Sequence, residues 1–199
     1  MTSTRAYRMT ARADQTADTR RRIADAVIRL AQERLTIEIT LEDIARTAGT
    51  SVQTVLRHYG SRDALFDAVI ALTAAEVERE RRAPAGDLDS ALRVLLDHYE
   101  ARGDFMVRMV GQEASDARIR SFTGPGKALH RRWVGDVFAP WLSASADADA
   151  LTDLLVVATD LHTWKLLRRD RGLDRATTQE RMRTLIDALL PPHPDSEDS

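Results

Sequence analysis

Between Thr40 and Leu65 the chain reads TLEDIARTAGTSVQTVLRHYGSRDAL, and the side chains here have the most specific chemical use in the sequence. Gln53 carries a donor and an acceptor on one planar amide, the combination that pairs with a base edge. The hydroxyls of Ser51 and Thr54 can reach phosphate or base. Arg57, His58 and Arg62 can contact phosphate oxygens, which set register and affinity but carry no base information. Leu56 offers an apolar contact suited to a thymine methyl, and Val52 and Thr40 belong to the same candidate surface. This chemistry suits recognition of duplex DNA, although two amphipathic helices joined by a tight turn also occur in ordinary helical bundles.

Two short helices must position these groups. Thr40 is a helix N-cap, with Glu42 and Asp43 in the first turn where the helix dipole favours negative charge. Leu41, Ile44, Ala45 and Ala48 recur at helical spacing and define a buried face. Gly49 closes that helix, Ser51 caps a second run from Val52 to Tyr59, and Gly60 ends it. Ser61 then caps a third helix. A helix–turn–helix of this size can place its second helix in the major groove.

The charge distribution agrees. Residues 1–62 hold 11 arginines and 7 acidic residues, a net +4, whereas the remainder holds 18 basic and 24 acidic residues, a net −6. The overall −2 therefore hides a basic N-terminal third suited to DNA and an acidic remainder that stays off it. The first residues, with Arg5, Arg8 and Arg12, read as a flexible basic arm over residues 1–17. A DNA-binding domain follows over 18–62, a second domain over 63–190, and a proline-rich then acidic disordered tail over 191–199.

Beyond the third helix the chain reads as all-α, with about nine helices and no alternating strand pattern. Ala83 to Gly86 breaks a long helix begun at Ser61. Another runs from about Leu88 to Arg102, and Gly103 is expected to interrupt it. Gly124-Pro125-Gly126 reads as a turn, the ASADAD stretch as a loop, Leu151 to about Arg169 as one helix, and Thr177 to Leu190 as the last. Aromatics at 5% of the chain suit packed helices rather than a sheet.

Catalytic chemistry finds little support. There is no cysteine, so no thiol or disulfide chemistry. No serine sits in a nucleophile-elbow context, no glycine-rich phosphate loop is present, and Asp160 and His162 lie two apart on a helix and so face different ways. The histidines lack zinc-ligand spacing. Neither an enzyme nor a metal or other cofactor is expected. No apolar run is long enough to span a bilayer, and the N-terminus lacks a signal-peptide core, so the expectation is a cytoplasmic protein without a membrane partner.

Residues 20–66 resemble the N-terminal domain of the TetR family of bacterial transcription regulators. The first helix, Arg22-Ile23-Ala24-Asp25-Ala26-Val27-Ile28-Arg29-Leu30-Ala31, is similar to the family's opening helix. Thr40, Ile44, Ala45, Ala48 and Gly49 match its Thr-x-x-x-Ile-Ala-x-x-Ala-Gly segment. Ser51, Thr54, Val55, His58 and Tyr59 match its recognition helix, and Gly60, Ser61, Arg62, Asp63 and Leu65 its exit. Two positions depart from the pattern. Many members carry tyrosine where this chain has Leu56, and valine where it has Thr50.

The resemblance implies a homodimer that binds a palindromic operator, represses the adjoining gene, and is released by a small-molecule effector held among the C-terminal helices. Two motifs spaced by about 34 Å read a palindrome on one face of the duplex. Leu151, Leu154, Leu155, Ala158, Leu161 and Leu166, with Leu185, Ile186, Leu189 and Leu190, form the broad apolar faces expected to pair with a second copy. Candidate effector-lining residues are Tyr99, Phe105, Met106, Met109, Trp133, Trp141 and Trp164, with His98, Gln112 and His130 as polar partners. Two other readings stay open. One is a DNA-binding dimer controlled by a protein partner, and the other is a helical protein-interaction module with no DNA role.

Overall fold

The computed structural model describes residues 3–114 and 117–190 of the chain, and all regular structure among them is helical. The chain divides into two compact units, Met1–Thr73 and Ala74–Ser199. The division falls inside the helix that begins at Arg62.

The first unit holds α1 (Ser3–Glu33), a 3-10 turn (Thr36–Glu38), α2 (Leu41–Thr47), α3 (Val52–Tyr59) and the start of α4 (Arg62–Glu80). Ile23, Ala26, Val27 and Leu30 of α1 are buried at three- and four-residue spacing. Ile39, Ile44, Val55 and Leu65 of the same unit are buried with them. The backbone of residues 3–17, expected as a flexible arm, is helical and continuous with α1. That stretch has no glycine or proline and is rich in alanine and arginine, so local propensity favours helix.

The second unit holds the rest of α4, then α5 (Leu88–Val110), α6 (Ala117–Val137), α7 (Ala139–Ala144), α8 (Ala148–Ala158), α9 (Leu161–Lys165) with a π turn (Leu166–Asp170), and α10 (Arg175–Asp187). Only Phe138 separates α6 from α7, so counting them as one rod makes nine helices among the described residues. The core is lined by Leu92, Leu95, Leu96 and Tyr99 of α5, Val134 and Val137 of α6, Trp141 of α7, Leu155 of α8, Trp164 of α9 and Met182 of α10.

Four local readings are corrected. Gly103 does not interrupt a helix. It lies inside α5, where a β-carbon would sit 2.5 Å from Cζ3 of Trp164, so the missing side chain admits the indole against the backbone. Gly124-Pro125-Gly126 is not a turn but part of α6. Buried Ile119 and Thr123 before it and Leu129 and Trp133 after it carry one inward face through the proline. The helix expected from Leu151 to Arg169 is broken at Thr159 and Asp160, because the Asp160 carboxylate caps a new helix by accepting from the His162 amide at 2.7 Å. The ASADAD loop is shorter than expected, since the Asp147 carboxylate caps α8 by accepting from the Ala150 amide at 3.0 Å. The tail from residue 191 lies outside the described residues.

Candidate nucleic-acid interface

The pair α2–α3 is built by its caps. The Thr40 hydroxyl accepts from the Asp43 amide at 3.1 Å, and the Asp43 carboxylate accepts from the Thr40 amide at 3.3 Å, closing a reciprocal capping box. The Thr40 amide and hydroxyl, which both donate to this carboxylate, and Arg34 at 3.4 Å hold the Asp43 carboxyl below its ordinary range. The Ser51 hydroxyl caps α3 by accepting from the Thr54 amide at 3.1 Å, and it also bonds the Thr54 hydroxyl at 3.0 Å. Gly49 and Gly60 close α2 and α3 with φ of +64° and +82°, values that side chains resist.

Two arginines not anticipated from the sequence fasten this turn to α1. Arg22 donates to the Ala48 carbonyl at 3.3 Å and Arg29 to the Thr47 carbonyl at 3.2 Å. They bring positive charge to the C-terminal end of α2, where the helix dipole is negative. Their seven-residue separation puts both on one side of α1, and that spacing was the available signal. Arg20 does similar work further along. Its carbonyl accepts from the Tyr59 hydroxyl at 3.0 Å, and its guanidinium lies 5.0 Å above the Tyr59 ring.

With α3 held in this way, Val55 is fully buried while Ser51, Gln53, Leu56 and Arg57 are exposed and Val52, Thr54 and His58 are half-buried. Gln53 and Arg57, four apart, share one outward side of the helix. His58 is held below the ordinary histidine range by partial burial and by the charges of Arg57 and Arg20, so at neutral pH it is a neutral hydrogen-bonding group rather than a cation. Arg62 stands apart from this set. Its Nε donates to the Ile39 carbonyl at 2.9 Å and its guanidinium packs 4.5 Å over the Phe66 ring, which gives it a structural task at the start of α4. Thr40 is likewise engaged in its capping box.

In the second unit the ten expected effector-lining residues fall into three groups. Met109, Trp141 and Trp164 are core. Trp164 also donates to the Glu100 carboxylate at 3.3 Å and carries Arg169 on its ring face at 4.6 Å. Phe105 and Met106 are half-buried, and Gln112 donates to the Arg108 carbonyl at 2.8 Å. The others lie around a residue the sequence reading passed over, Arg81. Its Nη2 lies 2.7 Å from His130 Nδ1, its guanidinium lies 4.7 Å over the Trp133 ring, and its carbonyl accepts from Trp133 Nε1 at 2.8 Å. His130 Nε2 lies 3.1 Å from the Thr159 hydroxyl, and the Tyr99 hydroxyl donates to the Thr159 carbonyl at 3.0 Å. Burial, with Arg81 nearby, pushes His98 down to about 3 and His130 down to about 4, and burial pushes the Tyr99 hydroxyl up. A pocket of about 150 Å³ borders Arg81 and Trp133, and Trp133 is the one expected lining residue on its wall.

The expected dimer faces are also divided. Leu151, Leu155, Ala158 and Ile186 are spent on the subunit's own core, Leu161, Leu189 and Leu190 pack at its margin, and Leu154, Leu166 and Leu185 are exposed with Val157. Among the described residues no cluster of three or more metal-ligating side chains occurs, and no helix is long and apolar enough to cross a membrane.

Comparison with known proteins agrees with this geometry. The family model described as bacterial regulatory proteins of the tetR family matches residues 23–69, from the last third of α1 into the first half of α4. No curated protein matches the chain. Among solved structures, the chain is similar to a protein from Mesorhizobium loti MAFF303099 assigned to the TetR-family transcriptional regulators. The TM-score is 0.60 at 14% identity, over 87% of this chain and 96% of that one, a likeness of fold that reaches well beyond the matched N-terminal residues.

Proposed function

We propose that this chain, a TetR-family transcriptional regulator, is a repressor that binds a palindromic operator as a homodimer and is released by a small molecule in its C-terminal unit. Regulators of this family are not enzymes. The observation that carries the DNA-binding part is the two-sidedness of α3. Val55 anchors it with no exposure, and Gln53 and Arg57 stand on the opposite side with Leu56 beside them, 38% exposed. Gln53 is the base reader, the Ser51 and Thr54 hydroxyls and His58 supply neutral contacts, and Arg57 holds phosphate. Thr40 and Arg62 act by shaping the surface.

Exposed Leu154 and Val157 on α8 and Leu185 on α10 support pairing with a second copy, because apolar side chains of that size on neighbouring helices gain by mutual burial. Pairing presents two copies of α3 to the two halves of a palindrome. Release then requires only that the effector favour one conformation of the dimer, by about 1–3 kcal/mol of coupling. The helix α4, which belongs to both units, is the covalent route for that coupling.

The packing of Met109, Trp141 and Trp164 into the core favours a second reading, in which a protein partner rather than a small molecule controls DNA binding. Both readings meet one experiment. Genomic fragments retained by the purified protein are sequenced, and binding to the recovered site is measured against salt and against protein concentration. A palindromic site, a steep loss of affinity with salt and sedimentation as a dimer are expected. A salt-independent affinity or a monomer at working concentration would refute the proposal.

A further inference from the structure

We infer that the effector is a small monocarboxylate with an apolar body, and that Arg81 is the cation that holds its carboxylate. The inference rests on the effector-controlled reading above and gives its ligand a chemical class. Arg81 is 4% exposed, and a guanidinium does not shed its proton in a protein. Its charge therefore needs a partner, yet the partner it has is neutral. Because Arg81 must donate to His130 Nδ1, the proton of that imidazole resides on Nε2 and points to the Thr159 hydroxyl, which in turn donates to the Leu155 carbonyl at 2.6 Å. The Trp133 face supplies a second neutral contact. Arg81 Nε is buried without any hydrogen-bond partner, and no carboxylate pairs with this side chain among the described residues. A buried charge in this state is costly unless something completes it.

A second unsatisfied group belongs to the same neighbourhood. His98 Nδ1 is buried with no hydrogen-bond partner, and in its Nδ1–H form it would offer a donor. Glu80 is the nearby carboxylate, at 3.9 Å, and it is already bound by Arg102 at 3.0 Å. Of the two orphaned nitrogens, that of Arg81 is permanently cationic and belongs to a residue on the pocket wall, which suits an anion; His98 is not on that wall. Charge at the pocket sets its valence. Arg81, Arg82 and Arg132 line it against Glu78 and Asp136, an excess of one positive charge that a monoanion neutralises and a phosphate dianion would overshoot. Leu129, Trp133 and Val137 supply an apolar wall, and a volume of about 150 Å³ matches a cavity that holds a benzene-sized body.

The test is the melting temperature of the full-length protein at constant ionic strength, with chloride exchanged for acetate or benzoate, and with benzamide as the neutral counterpart. Benzoate should raise it saturably and more than acetate, by about 3–6 °C at ten times the dissociation constant, and benzamide should not. Arg81→Met should lose the response while melting no lower without anion. Arg81→Lys, which keeps charge but not the planar fork, should weaken it. Arg93→Gln, an exposed change on α5, should keep it. No saturable response to benzoate, an equal response to benzamide, or an unchanged response in both Arg81 variants would overturn the assignment. Operator binding in the same additives separates the two layers. A benzoate-dependent melting shift without operator release leaves the anion site standing and removes the effector reading. Operator release by neutral compounds alone does the reverse.

Discussion

Arg57 and Arg81 are the same side chain in opposite surroundings, as are His58 and His130. On α3 the guanidinium of Arg57 is exposed, so its charge is available to whatever approaches. In the second unit Arg81 is buried, stacked on Trp133 and bonded to a neutral imidazole. The difference separates two kinds of binding site. One is a surface whose affinity is mostly electrostatic and screened by salt. The other is an enclosed place where a charge costs stability until a ligand completes it. The first unit spends its buried residues on holding a face outward, and the second spends them on holding polar groups inward.

Substitutions at the two ends of this contrast should act on different observables. The largest effect is expected from Gln53→Ala with Arg57→Ala, which removes one base contact and one phosphate contact. Operator affinity should fall by about 2–4 kcal/mol, roughly 30- to 1000-fold, with the melting temperature unchanged. Affinity and sequence preference that survived the double change would dissolve the contrast, because α3 would not be the reading surface.

Gly103→Ala probes the opposite end. A β-carbon there meets the fully buried Trp164 ring. Overpacking of this kind costs about 1–3 kcal/mol. The melting temperature should drop by several degrees while the folded protein keeps its operator affinity.

A pH titration sharpens the comparison without mutation. His98 and His130 titrate at about 3 and about 4 in the folded chain, below the ordinary histidine value of 6.5. Below pH 6.5 the unfolded chain therefore binds protons that the folded chain refuses, and stability falls as pH falls. Between pH 6.5 and 5.5 the loss should be about 1 kcal/mol per histidine. It should be seen as a lower denaturant midpoint and shrink by about 1 kcal/mol in a His98→Gln variant. A midpoint flat over that interval would mean that the imidazoles are solvated.

The smallest expected change is Ser51→Ala. It removes the cap at the start of α3 and should cost about 1 kcal/mol of stability. The alanine at this position also deletes a hydroxyl from the reading face, so operator affinity should weaken more than stability alone explains.

The first unit was legible because its signals are local. Thr40, Ser51, Gly49 and Gly60 each specify a cap or a turn from within a few residues, and the structure places every one where its chemistry requires. The bond from Arg62 to the Ile39 carbonyl was not legible, because that partner lies 23 residues away. Residue type alone likewise does not distinguish a cavity wall from a filled core, so only the structure shows that Met109 and Trp164 are buried. Gly103 and Gly124-Pro125-Gly126 were read as breaks from their own propensities, and packing overrode both.

Residue order alone thus decided the helical class, the caps, the helix–turn–helix and the charge asymmetry, because these depend on spacing along one short segment. Tertiary packing decided that Arg81 is buried without a carboxylate, that Trp164 lies on Gly103, and that Leu154 and Leu185 remain outside. Burial is a property of what arrives from distant parts of the chain, and no window of neighbouring residues contains it.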